Sequence, residues 1–323
     1  MKKYKAVILN KSEKMVNYVF SEEQIREIGE MTELRSGVAS ADDVDQGLLR
    51  DTEVVFTTWQ MPPLTEEQLA KMPNLKAVFY AAGATDYFAR PCFARNIKVF
   101  SAWQANAIPV AEFCLGQILL GLKGYFRTSR LFTKPDAVSQ SDAGPGVYGA
   151  TVALIGAGAI SSKLQELLRS FKVNVIVIPS RKEKRTISLE EAFAKAQVVS
   201  NHLPNRDDNV GVLDGKLFRS MRPGAVFINT GRGRQVNEAE LIEVLEERSD
   251  LTALLDVTHP EPPEAGSKLY TLPNVLLSPH IAGSLNDEVH RMSDYMIEEY
   301  RRFASGEPCL YEVHESMLLT SRN

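Results

Sequence analysis

Thr151-Val152-Ala153-Leu154-Ile155-Gly156-Ala157-Gly158-Ala159-Ile160-Ser161 is the stretch on which the fold turns. Its first five residues form an apolar run of the length and composition of a buried strand. Leu164, Leu167 and Leu168 then follow at helical spacing, so Gly156 to Ser161 sit between a strand and a helix. A glycine turn in that place lets backbone approach a pyrophosphate, and the helix N-terminus favours its charge. Ser161 stands where a third glycine would give close helix–strand packing, and serine is small enough for the same task. A second apolar run at residues 173–178 completes a β-α-β unit. The reading is therefore a parallel α/β dinucleotide-binding domain, with Gly156, Gly158, Ala159 and Ile160 at the phosphates.

The end of that second strand bears on which dinucleotide. An NAD site places a carboxylate there, about 20 residues past the glycines, to bond the ribose 2′-hydroxyl. Here the strand runs into Pro179-Ser180-Arg181-Lys182, with no acid before Glu183. One hydroxyl (Ser180) and two cations (Arg181, Lys182) stand where a 2′-phosphate would need them. The sequence favours NADP over NAD.

Working outward, apolar strands at residues 6–9, 54–56, 75–80 and 97–100 alternate with helical pieces, which predicts a second, smaller parallel α/β unit. Residues 107–122 are apolar nearly all round and read as a buried helix crossing between the units. Met292, Met296, Ile297, Tyr300 and Phe303 repeat at helical spacing and return the chain to the first unit. The expected architecture is two Rossmann/flavodoxin-like parallel-sheet domains with a cleft between them. Residues 1–104 plus 285–323 form one, and residues 105–284 the other.

Three residues follow predicted strands in the last third of the chain. Arg232 lies in Asn229-Thr230-Gly231-Arg232-Gly233, Glu261 in Asp256-Val257-Thr258-His259-Pro260-Glu261-Pro262, and His280 in Ser278-Pro279-His280-Ile281-Ala282-Gly283. Ligands of open α/β sheets bind at the carboxyl ends of strands. A fixed cation, a carboxylate and an imidazole gathered there can hold a carboxylate substrate and move a proton on and off a neighbouring oxygen. Of the other histidines, His202 reads as a wall of the cofactor pocket. His259 lies in a proline-flanked loop, and His290 and His314 read as surface or packing residues.

In order along the chain, these motifs resemble the D-isomer-specific 2-hydroxyacid dehydrogenase family. The resemblance spans essentially the whole chain and is strongest over residues 147–283. It is carried by Val110-Ala111-Glu112, Gly149-Ala150-Thr151-Val152 with the glycine turn, His202-Leu203-Pro204 and Met221-Arg222-Pro223-Gly224-Ala225. The arginine segment, residues 256–262, Leu272-Pro273-Asn274-Val275 and the Ser278–Gly283 segment complete it. Asn74-Leu75-Lys76-Ala77-Val78 and Ala81-Ala82-Gly83-Ala84-Thr85-Asp86 look like the family's substrate-domain strand and turn. The resemblance implies roles. Arg232 would hold the substrate carboxylate and polarise the C2 carbonyl, His280 would be the acid/base, and Glu261 would pair with His280 and orient it. Asp256 would bond the nicotinamide carboxamide. Pro204 would line the adenine side, Thr230 and Gly231 the nicotinamide ribose, and amides near Ala82, Gly83 and Ala84 would reach the substrate carboxylate. A small 2-keto or 2-hydroxy acid is the implied substrate, NADP or NAD the cofactor, and a homodimer through the dinucleotide domain the implied assembly. Ala159 replaces an arginine common in the family. Residues 127–146, rich in Ser, Asp, Gly and Pro, lack a tryptophan often found there and read as a mobile loop near the cleft. The same fold also serves phosphite- or formate-type oxidation, and cofactor-sensing corepressors in which catalysis is incidental. The intact Arg–Glu–His trio favours the dehydrogenase over phosphite- or formate-type oxidation, and the cofactor-sensing reading stands as the alternative.

Composition agrees with a globular enzyme. The 323 residues suffice for two domains, and 44% are hydrophobic. A net charge of −4 argues against nucleic acid and anionic membrane as partners. Cys92, Cys114 and Cys309 show neither metal-ligand spacing nor a disulfide framework, and Cys114 reads as buried and inert. With Met1-Lys2-Lys3-Tyr4 leading straight into a strand, and with no apolar run taken to approach bilayer-spanning length, a cytoplasmic protein is expected.

Overall fold

A computed structural model describes residues 2–318. The chain forms two compact units, with boundaries at Asn106/Ala107 and at Gly283/Ser284. The strands in chain order are β1 (Lys5–Leu9), β2 (Glu33–Ala39), β3 (Val54–Thr57), β4 (Ala77–Tyr80), β5 (Lys98–Ser101), β6 (Thr151–Ile155), β7 (Asn174–Ile178), β8 (Val198–Asn201), β9 (Val226–Asn229), β10 (Thr252–Leu255), β11 (Val275–Leu277) and β12 (Glu312–Val313).

The first unit holds a six-stranded sheet in the order β2-β1-β3-β4-β5-β12. It is parallel except for β12, which runs antiparallel to β5. β3 and β4 are buried at all four positions, as strands covered on both faces must be, and apart from Thr57 at the end of β3 both read as apolar runs. On one face the rings of Phe56, Phe79 and Phe100 stack in a row, with centroids 5.2 and 4.9 Å apart. The helix His290–Ser305 lays Met292, Met296, Ile297 and Tyr300 across them. Tyr300 meets Phe79 edge-on at 5.5 Å, a favoured ring geometry. The Ser284 amide donates to Asn106 Oδ1 at 3.0 Å, so the residue where the chain leaves this unit is bonded to the residue where it re-enters.

The second unit has a fully parallel sheet in the order β7-β6-β8-β9-β10-β11. The order reverses at β6, which lies between β7 and β8. Successive strand residues feed opposite cores because side chains alternate across a sheet. Ala153, Ile155, Phe227 and Leu255 face one cluster, and Val152, Leu154, Ile228 and Leu254 the other.

Three expectations are corrected. The helix Trp103–Leu122 is long and apolar enough to cross a membrane by length and composition, contrary to the reading of no such run. It is also buried along one face only. Ala111, Cys114, Ile118 and Leu122 pack on β6 and β9, whereas Leu120 is exposed. A core-facing stripe, with its other face apolar but uncovered, accounts for the composition. Residues 127–146 are not wholly loop. Tyr125–Leu131 is helical, and Arg130 ties it down through Pro273 O at 2.7 Å and Ser249 O at 3.3 Å.

Candidate active site

The glycine turn follows from crowding. Gly156 has φ +112°, and a Cβ there would lie 2.4 Å from the carbonyl oxygen of His202. The helix Ala159–Leu168 opens with Gly158, which has no side chain to cap it. Its first amides are therefore available to an anion. Ser161 is fully buried and donates its hydroxyl to Gly156 O at 2.6 Å, so it braces the turn as well as filling the third small position. Ala159 and Ile160 are half-buried in the first helical turn.

At the end of β7, Ser180 is half-buried while Arg181 and Lys182 are exposed. Arg185 folds back, donating to Pro179 O at 2.9 Å and Ser180 O at 3.0 Å, and so shapes the loop that presents them. In the loop after β8, Arg206 bonds Asp208 through Nε at 2.8 Å. That contact holds the Asp208 carboxyl below its ordinary range, with the nearby Arg181 charge a lesser cause. Arg206 went unread in the sequence, and Pro204 is exposed beside it.

His280 Nδ1 and Glu261 Oε1 are 2.6 Å apart, both side chains close to half exposed. His280 holds φ +54°, a left-handed conformation uncommon for a residue with a Cβ. Its amide fixes that conformation by donating to Asp256 O and Ser278 O, each at 3.0 Å. The Asp256 carboxylate is buried. It accepts from Ser278 Oγ at 2.6 Å, from the Ile281 amide at 2.9 Å and from the Ala282 amide at 3.0 Å. Asp256 thus anchors the turn that carries His280, a part the sequence did not reveal.

Arg232 is half-buried, with Nη1 donating to Gly231 O at 2.8 Å. Its loop is pressed on the loop that leads to Glu261. A Cβ on Gly233 would fall 1.9 Å from the carbonyl carbon and oxygen of Thr258, so only glycine allows this approach. Thr230 and Gly231 are buried. Thr230 Oγ1 lies 3.2 Å from His202 Nδ1 and 3.4 Å from Cys114 Sγ, and Ser200 Oγ lies 2.9 Å from His202 Nε2. Burial lowers the His202 pKa to about 3 and raises that of Cys114 to about 11, so both are neutral near pH 7.

Three carboxamides between these loops were also missed. Asn201, Asn229 and Gln235 are buried, and they bond one another and the backbone of residues 203–204 and 231–232. Polar residues at strand ends look like ordinary loop starts in a sequence. Their only signal was that Asn201 and Asn229 each close a short strand that opens with apolar residues, Val198-Val199 and Val226-Phe227-Ile228.

Ala82, Gly83 and Ala84 belong to the first unit, in the turn after β4. The Ala82 amide donates to Tyr80 O at 2.8 Å, and Ser101 Oγ bonds the carbonyls of Ala82 and Gly83 at 2.8 and 2.7 Å. Beside this turn is a cavity of about 160 Å³ lined by Gly83, Ala84, Thr85, Asp86, Trp103 and Met317, among others.

Residues 115–282 match the family model of the D-isomer specific 2-hydroxyacid dehydrogenase NAD-binding domain. The putative 2-hydroxyacid dehydrogenase YoaD of Bacillus subtilis is 31% identical over 252 residues, 73% of this chain and 73% of its own length. The (S)-sulfolactate dehydrogenase of Chromohalobacter salexigens is 29% identical over 246 residues, 73% of this chain and 80% of its own. A phosphoglycerate oxidoreductase from Rhizobium etli superposes with a TM-score of 0.80 at 22% identity, covering 98% of this chain and all of that one. The chain belongs to the D-isomer-specific 2-hydroxyacid dehydrogenase family. It is an oxidoreductase of 2-hydroxy acids that uses a nicotinamide cofactor.

Proposed function

We propose that the protein reduces a small 2-keto acid to the D-2-hydroxy acid with NADPH in preference to NADH. The observation that carries this reading is the 2.6 Å contact of His280 Nδ1 with Glu261 Oε1, held at the carboxyl end of a parallel sheet. With Nδ1 given to the carboxylate, Nε2 is the nitrogen that exchanges a proton with the substrate C2 oxygen. Glu261 keeps the ring oriented through the reaction. Arg232 bonds the substrate carboxylate and draws electron density from the C2 carbonyl. In the first unit, the turn of Ala82, Gly83 and Ala84 offers amides to a substrate carboxylate.

The Gly156 cradle and the uncapped helix start at Gly158 fit a pyrophosphate. Ser180, Arg181 and Lys182 fit an adenosine 2′-phosphate, with Arg206 a fourth group on that side. Pro204 lines the adenine, Thr230 and Gly231 the nicotinamide ribose. A carboxylate has about four acceptor sites, so three donors leave Asp256 one for the carboxamide. When bound, the nicotinamide supplies the hydride to substrate C2.

A homodimer through the second unit is supported by exposed Leu120, Tyr125, Leu131, Phe132 and Tyr148, the last two 63% and 87% exposed. Three free thiols suit a cytoplasmic setting.

The test follows NADPH and NADH oxidation with glyoxylate, hydroxypyruvate, pyruvate, 2-ketobutyrate, phenylpyruvate and sugar-derived 2-keto acids. Turnover with at least one, faster with NADPH, is expected. Tight cofactor binding with no turnover across the panel would overturn the reading.

A further inference from the structure

Gln235 is fully buried, and its carboxamide makes four hydrogen bonds. Oε1 accepts from the Arg232 amide at 3.0 Å and from Asn201 Nδ2 at 2.7 Å. Nε2 donates to Leu203 O and Pro204 O, both at 2.8 Å. Asn201 completes the arrangement, donating to Asn229 Oδ1 at 2.9 Å and accepting from the Leu203 amide at 3.2 Å. Asn229 Oδ1 in turn accepts from the Gly231 amide at 3.2 Å.

Both donors and the acceptor of Asn201 and of Gln235 are matched. Such a network specifies one arrangement of the backbone it holds, since any shift strands a buried polar group. Apolar side chains filling the same space would leave these backbone groups unpaired, so packing alone does not account for carboxamides here. What the network holds is specific. Gln235 bonds the segment 203–204, assigned above to the adenine side, and the amide of Arg232, assigned to the substrate carboxylate. It touches no reacting atom in that reading and is a positioning residue.

We propose that Gln235, supported by Asn201, couples the two ligand sites: a nucleotide that orders residues 203–204 also fixes Arg232 for a carboxylate, and the reverse. The inference rests on the assignment of Arg232 to the carboxylate. Coupling of this kind is reciprocal and typically changes affinity about 5–150-fold.

The experiment is calorimetry on the full chain with oxalate as the carboxylate probe and ADP-ribose, or its 2′-phosphate, as the nucleotide probe. Lacking nicotinamide, these nucleotides bring no ring against oxalate, so any coupling passes through the protein. In the wild type, a saturating nucleotide should tighten oxalate binding by about fivefold or more. In Gln235→Leu, and in the double variant Asn201→Leu/Gln235→Leu, which leaves no Asn201 donor unpaired, each ligand should still bind alone. The enhancement should fall below about twofold. A folded variant that keeps the full enhancement overturns the proposal, as does a wild type without any. A variant that loses both ligands alone as well shows only a structural role and also overturns it. If Arg232→Ala binds oxalate as the wild type does, the assignment of Arg232 is what fails.

Discussion

Asp256 and His280 are joined through the main chain on one side and through a side chain on the other. The His280 amide donates to Asp256 O, while the Asp256 carboxylate gathers Ser278 and the amides of Ile281 and Ala282. The imidazole therefore sits on a turn whose donors converge on one buried acid. A residue in the left-handed region costs of order 1 kcal/mol and persists only where its surroundings over-determine it. The Asp256 carboxylate is what over-determines it here.

Asp256→Asn should test that turn. An amide in place of the carboxylate sets donor against donor at one of the three bonds and removes the charge that strengthens the others. A loss of about 2–3 kcal/mol is expected. Thermal unfolding should show it, and hydrogen exchange should speed up at the amides of Ile281 and Ala282. Unchanged protection there would contradict the anchoring role.

His280→Ala should lower kcat by roughly 10²–10⁴-fold, the usual range for a positioned acid/base, with the circular dichroism spectrum unchanged. Glu261→Gln should cost less, because the ring keeps a hydrogen-bond partner. Arg232→Lys should lower kcat/KM more through KM than through kcat, since a point charge replaces a bidentate fork. Steady-state kinetics with one active keto acid checks all three, and near-full activity in His280→Ala would sink the mechanism.

Arg181→Asp should invert the cofactor preference. A carboxylate there would repel a 2′-phosphate and accept from a ribose 2′-hydroxyl. The ratio of kcat/KM for NADPH to that for NADH should fall by about tenfold or more, equivalent to 1.4 kcal/mol. An unchanged ratio would remove Arg181 from the cofactor site.

His202 predicts an acid sensitivity. Its folded pKa of about 3 lies below the ordinary value of 6.5 because burial opposes the charge. Between those values the unfolded chain binds a proton that the folded chain does not, so stability falls as pH falls. The contribution is whole above pH 6.5 and is lost toward pH 3. The slope is about 1.4 kcal/mol per pH unit for the one group. His202→Gln should flatten the dependence of unfolding free energy between pH 6.5 and 4.5, measured by urea denaturation against the wild type. Parallel curves would mean that His202 is not the group responsible.

Much of this was legible beforehand. β6 announced itself as an apolar run, and the glycines after it marked a turn that crowding by His202 O explains. Strands buried on both faces, such as β3, β4 and β9, are easy to read because burial dictates their composition. β2 escaped because it is an edge strand: Glu33, Ser36 and Gly37 are exposed, and pairing with β1 rather than an apolar pattern makes it a strand. Arg232, Glu261 and His280 stood out because each follows a strand, after Asn229, Leu255 and Leu277. Gln235, Asn201 and the anchoring work of Asp256 did not, because most of their partners lie 20 or more residues away and on backbone. A one-dimensional pattern carries no trace of a backbone carbonyl's need for a donor.

The hydrogen bond between Ser284 and Asn106 marks where the second unit is spliced into the first, and this has a consequence during synthesis. The second unit is contiguous in the chain and can fold as soon as it emerges. The first cannot finish: the row Phe56, Phe79, Phe100 must wait for the helix His290–Ser305 to be translated. Until then the nascent sheet exposes an aromatic face of the kind that recruits chaperones or aggregates. For a ribosome-bound chain stalled before residue 290, the first unit should be the protease-sensitive part.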